Sequence, residues 1–166
     1  MEADDFAVFY RSNYEQIRRY VERRLDGDHA EEVTAECFVI AWKKFGSNEL
    51  PGKAWLYQTA RNLVGTAYQK RDAERRLFER AAELVDETTS ADVILDVARA
   101  LASLKPRERE AIELTYWEGL SAAEVGRVTG CSEQAAWKRI SRGKQELKKA
   151  LGPDAVESVI ERDAHA

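Results

Sequence analysis

Between Gly119 and Lys149 the chain reads GLSAAEVGRVTGCSEQAAWKRISRGKQELKK, and the helix-boundary signals in it fall in one register. Ser121 and Glu124 form an S-x-x-E capping box, which satisfies two of the amide donors left orphaned at a helix start. Gly130 suits the left-handed position that closes a helix, and Ser132 suits the cap that opens the next. Gly126 removes a side chain where that next helix crosses closely. Two helices and a short turn are thereby dictated, the arrangement of a helix-turn-helix.

The second of these helices has an apolar inner face, Ala136, Ile140, Gly143, Leu147 and Leu151, before Gly152 and Pro153 end it. Opposite that stripe lie Gln134, Trp137, Lys138, Ser141, Arg142 and Gln145. In a helix-turn-helix the second helix enters the DNA major groove with its N-terminal residues at the base edges. Gln pairs bidentately with adenine, Arg and Lys reach guanine or phosphate, and Lys144, Lys148 and Lys149 suit phosphates. A basic run alone reads as a solvated face. The capping box, Gly126, Gly130 and Ser132 in register point instead to DNA. Trp137 is either a contact to a thymine methyl or a residue docked on a neighbouring helix.

The net charge of −4 weighs weakly against nucleic acid. Charges act over a Debye length of roughly 8 Å in physiological salt, so their local distribution decides. Basic residues crowd Lys70 to Arg80 and Lys138 to Lys149; acidic ones crowd the start, Asp26 to Glu36 and Glu83 to Asp96. A length of 166 residues holds one ordinary domain or two small ones, and β-branched runs are almost absent. No apolar run approaches the ~20 residues of a membrane span, so no membrane insertion is expected. The acidic start is unlike a signal peptide, and the expected location is the cytoplasm. Cys37 and Cys131 read as buried thiols. With two histidines and no Ser/His/Asp set, phosphate loop or supported acid pair, neither metal, cofactor nor enzymatic activity is expected.

Along the chain, Phe6, Phe9, Tyr10, Tyr14, Ile17 and Val21 predict a first helix ending near Gly27. Asp28 is the expected cap of a second helix through Val33, Cys37, Ile40 and Ala41. A Gly/Ser/Asn/Pro loop from Gly46 to Gly52 stops it. A third helix follows, with Leu56, Ala60, Leu63 and Ala67 on one stripe. Residues 80–92 are polar and acidic and read as a flexible linker. Beyond it Ile94, Val97, Leu101 and Leu104 form a helical face, and Pro106 suits the first position of another helix. Val156, Val159 and Ile160 predict a short helix in the tail. The expected fold class is all-α, two small helical domains at 1–79 and 93–152, with a tail at 153–166.

Two stretches resemble a known family. LASLKPREREAIELTYWEGLSAAEVGRVTGCSEQAAWKRISRGKQELKKAL is similar to the C-terminal, region-4 DNA-binding domain of sigma-70-type sigma factors. GDHAEEVTAECFVIAWKKF followed by PGKAWLYQTARNLVGTAYQKR resembles their region-2 helical bundle, in the form used by the extracytoplasmic-function (ECF) group. The resemblance implies an initiation factor that binds core RNA polymerase, through the β′ coiled coil and the β flap, and selects promoter DNA. For many members an anti-sigma factor is a further partner. It places Asp28, Glu31, Glu32, Glu36, Val39 and Ile40 at the polymerase-docking surface. An acidic helix face with an apolar border agrees with that role. Asn48, Lys53, Trp55, Tyr57, Gln58, Arg61 and Asn62 are placed at the −10 element, where an extruded base needs stacking and edge hydrogen bonds. Trp55 and Tyr57 are as readily core as stacking platforms. Ser132, Gln134, Trp137, Lys138, Ser141, Arg142, Lys144 and Gln145 are placed at the −35 element. The chain departs from the family at Ala35, where glutamine is common, and at Ile40, where arginine is common. Gln134 and Trp137 replace the usual small and basic residues of the recognition helix. The other class of function open to such a chain is a stand-alone helix-turn-helix regulator that binds operators as a dimer. Thr34, beside the acidic face, reads as an ordinary helix threonine rather than a phosphate acceptor.

Overall fold

The computed structural model describes residues 3–25, 27–45, 50–67, 73–84 and 90–156, without the side chains of 73–75. Among the described residues every regular element is a helix: α1 (Ala3–Glu22), α2 (Gly27–Phe45), α3 (Lys53–Ala67), α4 (Ala73–Leu84), α5 (Ala91–Ser103), α6 (Pro106–Tyr116), α7 (Ala122–Thr129), α8 (Glu133–Leu151) and α9 (Pro153–Val156). The chain divides into two compact units, Met1–Lys70 with Arg127–Thr129, and Arg71–Gly126 with Gly130–Ala166.

In the first unit α1, α2 and α3 pack on one another. Ile17, Tyr20, Val21, Val33, Cys37, Ala41, Leu56, Ala60 and Val64 are buried between them. An aromatic seam joins α1 to α2: the Phe6 ring lies 5.4 Å from Phe45 and the Tyr10 ring 4.9 Å from Phe38, both edge-on. The first helix stops at Glu22, earlier than its periodicity predicts. A tight turn follows, in which the amides of Arg24 and Leu25 both donate to the Val21 carbonyl, and it tucks Leu25 into the core. Asp28 lies within the first turn of α2 instead of capping it, where its charge still faces the positive end of the helix. The buried stripe of α3 is Leu56, Tyr57, Ala60 and Val64; Leu63 and Ala67 sit only at its margin. Thr34 is wholly buried, and its hydroxyl donates to the Ala30 carbonyl at 2.7 Å, an ordinary helix threonine. Tyr68 and the loop residues 46–49 lie outside the described residues.

In the second unit Val97, Leu101 and Leu104 of the α5 segment, Ala111, Ile112 and Leu114 of α6, and Ala136, Ile140 and Leu147 of α8 are buried. Pro106 opens α6 at its first turn as expected. α8 packs chiefly on α6, and Gly143 marks the closest approach. A Cβ built there would stand 2.6 Å from Ile112 Cγ1. α4 packs on α5, and the first residues of the expected linker belong to it. Residues 80–84 continue the helix, so a boundary at 79/80 would fall inside it. The Arg80 guanidinium pairs with the Glu113 carboxylate at 2.5 Å, and the Trp117 indole N–H donates to the Arg80 carbonyl at 3.0 Å. Ala81 is fully buried beside them. In the tail α9 is described over Pro153–Val156; Val159 and Ile160 lie outside the described residues.

Candidate nucleic-acid interface

Local hydrogen bonds shape the α7–turn–α8 segment. Ser121 Oγ accepts from the Glu124 amide at 3.2 Å, and the Glu124 carboxylate accepts from the Ser121 amide at 3.1 Å, which completes the capping box. Gly130 closes α7 at φ 77°, a left-handed conformation in which a side chain would be strained. The Cys131 amide reaches back to the Gly126 carbonyl at 2.9 Å. At Gly126 an added Cβ would lie 2.6 Å from the Cys131 carbonyl oxygen, so the turn backbone occupies the space a side chain would need. Ser132 then caps α8, its hydroxyl oxygen accepting from the Ala135 amide at 3.1 Å.

With α8 pinned in this way, its helical phase is fixed. Ala136, Ile140, Gly143 and Leu147 face inward, and Leu151 is only partly covered. Gln134, Trp137, Lys138, Ser141, Arg142 and Gln145 are all exposed. Ser132 is exposed but its oxygen already serves the cap, and Lys144 leans over the Tyr116 ring at 5.9 Å at the edge of the face. Six basic residues against two acidic ones on α8 make a positive helix on a negatively charged chain. Trp137 is 57% exposed, so it is not docked on a neighbouring helix among the described residues.

Two further surfaces lie on the first unit. On α2, Asp28, Glu31, Glu32 and Glu36 are exposed together with Val39, while Ile40 is half-buried. Trp42, 49% exposed, extends the same apolar border, with its ring edge-on to Phe6 at 4.8 Å. Sequence reasoning did not place Trp42 on this surface, although its spacing of three from Val39 was the available signal. Inside this face, burial pushes the Cys37 thiol up to about 12, and the neighbouring Glu36 charge adds to the effect.

On α3, Gln58 and Asn62 are exposed one turn apart, with Trp55, Arg61 and Lys53 half-buried beside them. Lys44 Nζ lies 4.7 Å over the Trp55 ring, which brings a cation from α2 that sequence reasoning did not include. Tyr57 does not belong to this surface. It is 1% exposed, edge-on to Tyr20 at 5.4 Å, and is a core residue. Asn48 lies outside the described residues. Among the described residues no helix is long and apolar enough to cross a membrane.

Known proteins share this order of parts. The chain matches the family models described as Sigma-70 region 2, over residues 9–74, and Sigma-70, region 4, over residues 94–147. It is 31% identical to the ECF RNA polymerase sigma factor BldN of Streptomyces coelicolor, over 93% of this chain and 63% of that protein. It therefore spans less than two thirds of the length of that relative. It is 30% identical to the ECF RNA polymerase sigma factor SigK of Mycolicibacterium vanbaalenii, over 91% of this chain and 84% of that protein. Among solved structures it resembles CnrH in complex with the cytosolic domain of CnrY, with a TM-score of 0.67 and 24% identity over 92% of this chain and 91% of that chain. It also resembles the sigma factor RpoE in complex with the anti-sigma factor NepR from Bartonella quintana. There the TM-score is 0.63 and the identity 25%, over 92% of this chain and 99% of that chain.

Proposed function

The chain belongs to the sigma-70 family, in its ECF group, and from that premise we propose that it binds core RNA polymerase and directs it to promoters. It acts by binding, with no reaction catalysed by its own side chains, in the cytoplasm and at the nucleoid once loaded on polymerase. The acidic face of α2, Asp28 to Glu36 with Val39 and Trp42, docks on the polymerase β′ coiled coil. Trp55, Gln58, Arg61 and Asn62 of α3, with Lys44 and Lys53, hold the melted −10 strand. The exposed face of α8 reads the −35 duplex. The β flap and an anti-sigma factor are the remaining partners of this reading.

The observation that supports it best is the coexistence of two oppositely charged exposed faces on separate elements, acidic on α2 and basic on α8. An operator-binding regulator needs the second and has no use for the first. A sigma factor needs both, because polymerase delivers the chain to DNA and the net charge need not attract it.

The test is transcription in vitro with purified core polymerase and this chain. Specific initiation is expected only when both are present. Glu32→Arg is expected to weaken polymerase binding, and Arg142→Ala to lower initiation with polymerase binding intact. Absence of any specific initiation site, or tight binding to a palindromic duplex without polymerase, would overturn the proposal.

A further inference from the structure

The tryptophans of the chain are partnered in different ways. Trp42 stacks edge-on against Phe6, Trp55 lies under Lys44, and Trp117 donates to the Arg80 carbonyl. Trp137 stands apart: it is the most exposed of them, and no ring, cation or hydrogen-bond partner reaches it among the described residues. It lies five residues after the Ser132 cap, with Gln134 one turn before it and Ser141 one turn after it on the same exposed face. Lys138 and Arg142, also exposed, flank it.

Resting on the reading of α8 as the −35 helix, we propose that Trp137 is a specificity-determining residue that selects thymine through its 5-methyl group. The first turns of such a helix approach base edges, and Trp137 sits within them. In the major groove the thymine methyl is the main apolar group, besides the smaller C5–H of cytosine; the remaining edges are donors or acceptors that water would otherwise satisfy. An indole offers a broad apolar body and a single N–H donor and no acceptor. Against a methyl it removes two apolar surfaces from water together. Against guanine, adenine or cytosine edges it strips hydration without replacing the lost bonds, so it discriminates in both directions. Lys138 and Arg142 on either side supply cations for the phosphates, which makes a nucleic-acid duplex the occupant that fits this face.

The experiment uses polymerase loaded with the full chain and a promoter recovered from the transcripts it makes. Each thymine of the upstream element is replaced singly by deoxyuridine, which removes only the methyl. With the unaltered chain, at least one such replacement is expected to weaken promoter binding about fourfold, the effect of one buried methyl-sized group. With Trp137→Ala, binding to the thymine promoter falls and the same replacement has no further effect. With Arg142→Ala, binding falls but the fourfold thymine-to-uracil ratio persists. Since Trp137 is exposed, its variant is expected to keep wild-type helicity and polymerase binding. A thymine-to-uracil ratio near one with the unaltered chain, or a ratio unchanged by Trp137→Ala, overturns the proposal and leaves the −35 assignment standing. Promoter binding indifferent to scrambling the whole upstream element, and to Arg142→Ala, overturns that assignment and the proposal with it.

Discussion

Replacing Glu113 by alanine tests what holds α4 in the second unit. Arg80 and Glu113 meet at 2.5 Å with side chains only 11% and 6% exposed, so water screens the pair little. Removing the carboxylate takes away the charge that the Arg80 guanidinium meets at 2.5 Å, although its Nε–H still donates to the Arg76 carbonyl at 3.4 Å. Breaking a buried pair by truncating one partner costs ~3–5 kcal/mol, a large share of the ~5–15 kcal/mol that holds a domain together. The Trp117 hydrogen bond to the Arg80 carbonyl uses backbone and survives the change, so α4 is expected to loosen and not to detach. Urea unfolding of the full chain, followed by tryptophan fluorescence with the two units fitted as separate transitions, measures the loss. Hydrogen exchange over residues 76–84 locates it. The paired change Arg80→Met with Glu113→Leu exchanges the charges for apolar groups of similar length. It is expected to recover most of the loss, because a buried pair is worth little more than good packing. A loss below ~1 kcal/mol for Glu113→Ala, or a double variant as unstable as the sum of the single ones, would refute the reasoning.

Other outcomes follow from the glycines and the thiols. Gly126→Ala is expected to destabilise the second unit by ~1–3 kcal/mol, because its Cβ meets the backbone oxygen of Cys131 at 2.6 Å and backbone cannot swing aside. Gly65→Ala, where nothing lies within 4 Å of the new Cβ, is expected to stabilise α3 by ~0.5–1 kcal/mol. Urea midpoints of the two variants should move in opposite directions. Burial holds the Cys37 thiol protonated up to about 12 from an ordinary value of 9.0, so at pH 8 a thiol reagent is expected to label the native chain at Cys131 well before Cys37. Unfolding in urea should equalise the two rates. Between pH 9 and 12 the unfolded chain releases the Cys37 proton while the folded chain keeps it, so this thiol lowers stability progressively as pH rises through that window.

The parts of the fold that were legible in the sequence are those made by short-range bonds. The capping box, the left-handed Gly130 and the Ser132 cap each join residues within five positions of one another, so residue type and spacing suffice to read them. The inner face of α8 followed for the same reason. Illegible were the contacts that depend on distant partners. Nothing around Arg80 announces Glu113 thirty-three residues later, and without that pair the stretch reads as a linker. Tyr57 and Trp55 are two residues apart with similar chemistry, yet one meets Tyr20 in the core and the other lies beneath a lysine. Leu63 and Val64 compete for one stripe, and Val64, one turn after the buried Ala60, takes it while Leu63 stays at the margin.

The way α8 is seated has a bearing on how such a chain diversifies. Its buried side is fixed by Gly143 against Ile112 and by Ala136, Ile140 and Leu147, while Gln134, Trp137, Lys138, Ser141, Arg142 and Gln145 share no packing with them. Exposed substitutions of that kind shift stability by no more than about 0.5 kcal/mol. If that face reads the −35 element as proposed, a lineage can rewrite it one residue at a time, through intermediates that all fold. The glycine contact behaves differently: a Cβ added there would stand 2.6 Å from Ile112 Cγ1, so the seat of the helix itself would have to give. Packing is strict on one side of this helix and permissive on the other, and the permissive side can change without a stability penalty.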